Sequence, residues 1–249
     1  MDHGVHAGVT ATHDTGFEIV ELRRYATHPG RCDDLVTLFE NEFIETQEAC
    51  GMVPVAHYRD LDDPNAFVWF RGFPDMESRR TSLEAFYVRS PAWRTHRDAA
   101  NATMVDSDNV LLLRPVRLGT GFDVRGLHRP ARGTRQKSAS YAGVAIFMLR
   151  EAAAGATVEQ FERTTLGQLE RTARRIAYFV TDEHANDFPR LPIRSGEWAF
   201  VVTGICDTDE ALAQWKRTLA ESQLPDALRA QIIEVEHLRL QPAARSLYR

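Results

Sequence analysis

Two passes through one alternation of strand-like and helix-like patterns leave this chain few folds to choose from. In the first pass, residues 17–25 alternate core-facing and polar side chains, which suits a half-buried strand, and His28-Pro29-Gly30 ends it. Asp33 then caps a segment in which Leu35, Leu38, Phe39 and Phe43 share one helical face, and Gly51 supplies the stop. Residues 52–59 and 67–73 read as a hairpin across a turn at 60–65 rich in Asp, Pro and Asn. Asp75 caps a helix with Met76, Leu83 and Phe86 facing inward. Ser90-Pro91 opens another that carries Trp93, His96, Arg97, Ala100 and Met104 along one stripe. The apolar run 109–114 before Pro115 completes the pass as a strand buried on both faces.

The same grammar returns as strand 144–149, helix 157–172, strands 176–181 and 198–205, helix 210–219 and strand 232–240. Residues 198–205 answer 66–73, and each is followed by an aspartate, Asp207 or Asp75, that starts a helix. Residues 238–242 answer 111–115, and Gly30 and Gly155 each follow a first strand. A duplicated β-α-β-β-α-β unit accounts for this order, because one unit alone leaves a sheet face bare and a second covers it. The expected fold class is α+β, with tandem ferredoxin-like modules at 17–116 and 141–242. A Gly- and Arg-rich linker at 117–140 joins them, and tails are expected at 1–16 and 243–249. The two sheets can close into a barrel, with an apolar chamber between the halves.

At 249 residues and 43% hydrophobic content, the chain carries enough apolar material for two modules of about 100 residues each. A net charge of −5 gives no global basic field, which argues against nucleic acid as a partner. No run of about 18 apolar residues is present and the N-terminus lacks a basic start and an apolar core, so a soluble cytoplasmic protein with no membrane partner is expected. Cys32, Cys50 and Cys206 are widely spaced and fit buried free thiols better than a disulfide or a zinc knot. His3, His6 and His13 in the N-terminal tail can bind metal only incidentally.

The stretches Tyr58-Arg59-Asp60-Leu61-Asp62-Asp63-Pro64, Phe67-Val68-Trp69-Phe70-Arg71-Gly72-Phe73-Pro74-Asp75-Met76 and Phe86-Tyr87 resemble the pattern of the NIPSNAP family. So do Pro91-Ala92-Trp93 and the run from His96 to Met104. Asn186-Asp187-Phe188-Pro189-Arg190-Leu191-Pro192-Ile193-Arg194 is similar to a stretch of that family's two-module members. In the second module Val201, Val202 and Thr203 stand where the pattern has Trp-x-Arg. The resemblance implies the dimeric α/β-barrel fold, which elsewhere hosts cofactor-independent oxygenases, cyclases, isomerases and haem proteins, and a homodimer or higher homo-oligomer. It does not imply one chemistry.

Alternation along 67–73 puts Phe67, Trp69, Arg71 and Phe73 on one face. Arg71 among aromatics can fix an anionic oxygen while Trp69 stacks on a flat ring, or it can pair with Glu21 across the sheet. As a clamp alone, Arg71 would be dispensable for folding. Glu21, Arg23 and Tyr25 share one face of the first strand, and His57 is expected to share a face with Val55 and Arg59. His57 and His96 are candidate proton carriers, with an ordinary sheet histidine the other reading for His57. Asp106 can orient His96, or simply bond its local backbone. Tyr25, Trp69, Tyr87, Trp93 and Asn101 are the candidate substrate-binding residues. No ligand spacing announces a metal site from His57, His96 and an aspartate, and none is expected. Haem, with His184 or His237 as axial ligand, has no local motif either. The connection at 189–194 can roof a pocket or meet a partner subunit.

Two functions fit these residues. One is an enzyme of secondary or aromatic metabolism that oxygenates, cyclises or isomerises an anionic or aromatic small molecule without an organic cofactor. The other is a non-catalytic stress-response or scaffold protein that encloses a hydrophobic ligand or haem.

Overall fold

The computed structural model describes residues 16–220 and 223–249. The tail expectations for His3, His6 and His13 fall outside the described residues. The described residues form eight strands: β1 (Ile19–Thr27), β2 (Val53–Asp60), β3 (Ala66–Phe73), β4 (Met104–Pro115), β5 (Tyr141–Leu149), β6 (Arg175–Thr181), β7 (Trp198–Cys206) and β8 (Ile232–Pro242). Helix α1 begins at Cys32–Leu38, widens into a π-helical turn at Phe39–Phe43 and ends with Ile44–Glu48. Helix α2 (Met76–Glu84) passes into a π-helical turn at Ala85–Arg89, and α3 is Pro91–Asn101. In the second half, α4 runs through Gly155–Phe161, a π-helical turn at Glu162–Leu166 and Gly167–Leu169. Helices α5 (Asp209–Thr218) and α6 (Asp226–Arg229) follow.

The caps explain several of these starts. Asp75 accepts from the Ser78 backbone N–H at 2.6 Å, and Thr208 does the same for Ala211 at 3.1 Å. Pro91 opens α3, as its fixed φ and missing N–H favour. No helix among the described residues is long and apolar enough to cross a membrane. Cys32 and Cys206 are buried free thiols and Cys50 is half-buried.

The strands close into one antiparallel barrel in the order β1-β3-β2-β8-β5-β7-β6-β4. Each half contributes four neighbouring strands with its fourth beside its first and its third beside its second. The seams are short, Tyr58↔Pro242 to Asp60↔Leu240 on one side and Leu113↔Thr181 to Pro115↔Phe179 on the other. Closure is achieved within one chain, through these two short seams.

Between the halves the barrel is filled. Val20, Leu22, Val68, Phe70, Leu111, Leu113, Val144, Ile146, Phe179 and Val201 interdigitate there, as an eight-stranded barrel just permits. The expected chamber between the halves is therefore corrected to a packed core. The same residues that were to enclose a ligand fill the space themselves. Phe122 of the expected linker and Tyr248 of the expected C-terminal tail belong to this core, with ring centroids 4.7 Å apart. Residues 243–249 are thus not a loose tail: Ala243, Arg245, Ser246 and Tyr248 are buried, and the Tyr248 and Ala243 amides bond the Val55 and His57 carbonyls.

The outer sheet faces carry helices, and here the halves differ. Facing α1 and α2 in the first half are Glu21, Arg23, Tyr25, Trp69 and Arg71; facing α4 and α5 in the second are Ala145, Phe147, Phe200 and Val202. Val201, set against Trp69 by the sequence matching of 198–205 with 66–73, points into the barrel instead. One residue of slip reverses every face. Trp215 of α5 fills the second half's counterpart of the polar face, lying over Gly143 and Gly204. A Cβ at either glycine would stand 2.5 Å from the indole. Gly204→Ala is therefore expected to cost about 1–3 kcal/mol of stability by overpacking, measurable as a shifted urea midpoint at constant slope. An unchanged midpoint would mean that the indole has room to move.

Candidate active site

Register assembles the site row by row. Across β1, β3 and β2 the pairs Glu21↔Arg71, Arg23↔Trp69 and His57↔Trp69 place these side chains in adjacent rows. A bulge between Pro54 and Ala56 resets the alternation of β2, so that Val55 faces the barrel and His57 the helices. The expected sharing of a face by His57 and Val55 is thereby corrected. Arg71, too, looks toward α1 and α2, not into the space between the halves.

Of the two sequence readings of Arg71, the structure forms the pair with Glu21, within a larger cluster. Its guanidinium binds Glu21 (Nη2–Oε2 2.5 Å, Nε–Oε2 3.1 Å), and its Nη1 donates to the Tyr87 hydroxyl at 3.1 Å and to Gln47 Oε1 at 3.4 Å. It stacks 5.1 Å from the Trp69 ring centroid and 5.7 Å from Tyr87. Arg23 donates to Glu21 Oε2 and to the Tyr25 hydroxyl, each at 2.8 Å. Arg79 reaches down from α2 to Glu21 Oε1 at 2.8 Å. The side chains of Glu21, Arg71 and Arg79 are 0% exposed and that of Arg23 is 1%.

Burial alone would push the Glu21 carboxyl up, but Arg71, Arg23 and Arg79 outweigh it and hold it far below the usual carboxylate range. Glu21 is therefore ionised and shared among three buried cations. The remaining acid, Asp187 from the connection after β6, pairs with Arg79 and is 22% exposed. Three guanidiniums against two carboxylates leave one buried positive charge, and burial raises the pKa of the Tyr25 hydroxyl, which keeps it from supplying the missing anion.

Beside this cluster stands His57, fully buried. Its Nε2 lies 2.9 Å from Glu40 Oε1, which also accepts the Arg245 amide at 2.7 Å. Burial pulls the imidazole pKa down to about 4 despite that carboxylate. A neutral ring donating Nε2–H to Glu40 leaves Nδ1 as a bare lone pair, and Nδ1 has no hydrogen-bond partner among the described residues. Neither does the buried Nε1–H of Trp69, the cross-strand neighbour of His57. Both rings pack on Phe39, at centroid distances of 5.2 and 4.9 Å. An unmatched acceptor and an unmatched donor thus stand in one buried aromatic wall. The π-helical turn that seats Phe39, Glu40 and Phe43 and the one that seats Tyr87 flank it.

The low pKa of His57 has a stability consequence. It lies below the unfolded value of 6.5, so the unfolded chain binds the proton first. The contribution is intact above pH 6.5 and is lost as pH falls toward 4, about 3 kcal/mol in all. His57→Gln should flatten the pH dependence of urea stability across that window. An unchanged slope would show that the imidazole titrates alike in both states.

Of the sequence candidates, Arg71, His57, Trp69, Tyr25 and Tyr87 come together, with Trp93 at the margin, 4.8 Å from Tyr87 between ring centroids. Three do not. His96 is half-exposed on α3 beside Glu42, Asn101 is exposed at the helix end, and the exposed Asp106 accepts the Asp108 amide within the first residues of β4. A one-turn spacing from Trp93 carries His96 to the edge of the buried stripe rather than under it. Nor do His57, His96 and an aspartate converge. Of the candidate haem ligands, His184 is largely exposed and bonded to Asp182, while His237 lines a separate groove of about 510 Å³ between α5 and β8 with Leu212, Lys216 and Val235. Arg79, Gln47, Glu40 and Asp187 were missed. Arg79 had a signal: it lies three residues after Met76 and four before Leu83, on the inward stripe of α2.

The sequence profile of the NIPSNAP family matches residues 20–118. Among curated proteins, none matches the chain. A Fusobacterium nucleatum protein provisionally designated a monooxygenase has a similar structure over 92% of this chain and 93% of its own, at 7% identity and a TM-score of 0.53. An anthrone oxidase-like protein aligns over 90% and 91% at 12% identity, with a TM-score of 0.51. A NIPSNAP-like domain protein from Burkholderia xenovorans covers 42% of this chain and 90% of its own at 23% identity, with a TM-score of 0.37. Identities this low speak to the fold alone.

Proposed function

From the premise that the chain belongs to the NIPSNAP family, its family domain spanning residues 20–118, we propose that the first half binds a small anionic aromatic molecule and acts on it as an enzyme without an organic cofactor. The observation that supports this most is the unbalanced positive charge under α1 and α2. A fold that buries three guanidiniums against two carboxylates gains by admitting one more anion. Trp69, Tyr87 and Tyr25 supply aromatic surface for a flat ring beside it.

The reaction class follows from His57. Its Nδ1 lone pair, oriented by Glu40 through Nε2, takes a proton from an acidic C–H or O–H of the substrate. The electron pair left behind resides on an enolate or phenolate oxygen facing the guanidiniums. Oxygenation, cyclisation and isomerisation all begin with such an anion. The two halves we regard as ferredoxin-like repeats of one unit. Equal strand order and a π-helical turn in the first helix of each half favour that reading. The second half, with Trp215 in place of the polar cluster, serves as scaffold.

The test is calorimetric titration with salicylate, a flat ring bearing a carboxylate, alongside its neutral analogue salicylamide. Saturable binding of the anion and much weaker binding of the amide are expected. Equal affinities, or no binding of salicylate, would remove the reading.

A further inference from the structure

Resting on that reading of the site, we propose that Asp187 is a tethered competitor for the ligand's carboxylate, and that the connection carrying it is the door to the site. Residues 182–197 join β6 to β7 in the second half yet lie over the first. The two ends of this connection are pinned to β4, Asp182 N–H to the Leu112 carbonyl at 2.9 Å and Arg194 N–H to the Val110 carbonyl at 2.8 Å. Between the pins, the Asn186 side chain bonds the Leu191 carbonyl at 2.8 Å and accepts the Phe188 amide at 3.2 Å, so that 186–191 holds together as one small loop. That loop places Asp187 on Arg79, Asn186 Oδ1 3.3 Å from the same guanidinium, and Phe188 against Tyr87 at a centroid distance of 6.2 Å.

Charge and exposure set Asp187 apart from Glu21. Glu21 is rooted in the centre of β1 with three arginines and no solvent exposure. Asp187 touches one arginine, is 22% exposed, and hangs from a loop. Exchanging Asp187 for the carboxylate of a ligand leaves the buried charge unchanged, so opening costs the cluster no electrostatic balance beyond the exchange itself, and the surplus positive charge stays available to the enolate or phenolate oxygen of the same molecule, which is the additional anion. The same movement lifts Phe188 off Tyr87 and uncovers the aromatic wall. The ligand class is narrowed accordingly to molecules with a carboxylate, or an equally compact anionic group, on or next to a planar ring.

The sign of one mutational effect separates this from a merely structural ion pair. Asp187→Asn keeps the size and removes the competitor. Salicylate should then bind about tenfold more tightly, with salicylamide changed less than about twofold. Hydrogen exchange on the wild-type protein gives a second readout that does not depend on the variant's folding: salicylate should speed exchange within 186–191, and salicylamide should not. Unchanged or weakened salicylate affinity in a folded Asp187→Asn protein, or protection of 186–191 on binding, overturns the competitor while leaving the anion site standing. Failure of both proteins to bind salicylate removes the site and this inference together.

Discussion

Glu21→Gln should destabilise the fold by about 3–5 kcal/mol, because it removes the one fully buried carboxylate that three guanidiniums share. Among the described residues Asp187 would remain as the only acid in contact with the cluster, on Arg79 alone. Arg23 and Arg71 would then face a neutral amide with no anion in reach. For a chain of this size the loss corresponds to a melting temperature lower by roughly 10 °C, which calorimetry reads directly. Combining Glu21→Gln with Arg23→Met should recover part of that loss, since each change alone alters the charge balance in the opposite direction. A Glu21→Gln protein as stable as the parent would mean that the arginines are neutralised from elsewhere, and the surplus charge would vanish from the account.

Arg71→Met should have the opposite profile: modest for folding, severe for binding. Methionine fills most of the volume next to Trp69 and Phe73, and Glu21 keeps Arg23 and Arg79, so no charge is stranded. The buried charge falls from one surplus positive to balance. Stability should change by less than about 1.5 kcal/mol, whereas salicylate affinity should fall by roughly a hundredfold or more, the consequence of losing a buried charge-assisted partner. Alanine is the poorer probe, because the guanidinium is fully enclosed and truncation adds a cavity. For the same reason a clamp at this position is not dispensable for folding in the simple sense expected from an anion clamp on a pocket wall. Retained salicylate binding in a folded Arg71→Met protein would leave the guanidinium with a structural role only.

The order of elements was legible because strand and helix periods differ and the stops are chemically marked: Pro29-Gly30, Gly51, Asp75 and Ser90-Pro91 all sit where segments change. The identity of each face was less so. A bulge at Pro54 to Ala56 leaves no mark in an alternating sequence, yet it decides that His57 joins the helices. The matching of 198–205 with 66–73 failed for the related reason that alternation is blind to a slip of one residue. Trp69 and Arg71 stood out as a guanidinium among rings, and Glu21 was recognised as one possible partner across the sheet. Arg79 was hidden by its residue type, since an arginine on a helix is ordinarily assigned to solvent. Asp187 was hidden by distance along the chain, because only barrel closure brings the second half's loop onto the first half's helices. The buried C-terminal segment was likewise invisible: nothing local in Ala243 to Tyr248 indicates that Arg245 meets Glu45 and the Glu40 carbonyl.

A crystal structure of the protein with 5-bromosalicylate, located by bromine anomalous scattering, tests most directly the idea that the ligand site lies under the first half's helices. The bromine should appear between β3 and α1–α2, with the carboxylate on Arg71 or Arg79 and the loop 186–191 displaced. Bromine within the barrel, or only in the groove between α5 and β8, would contradict it.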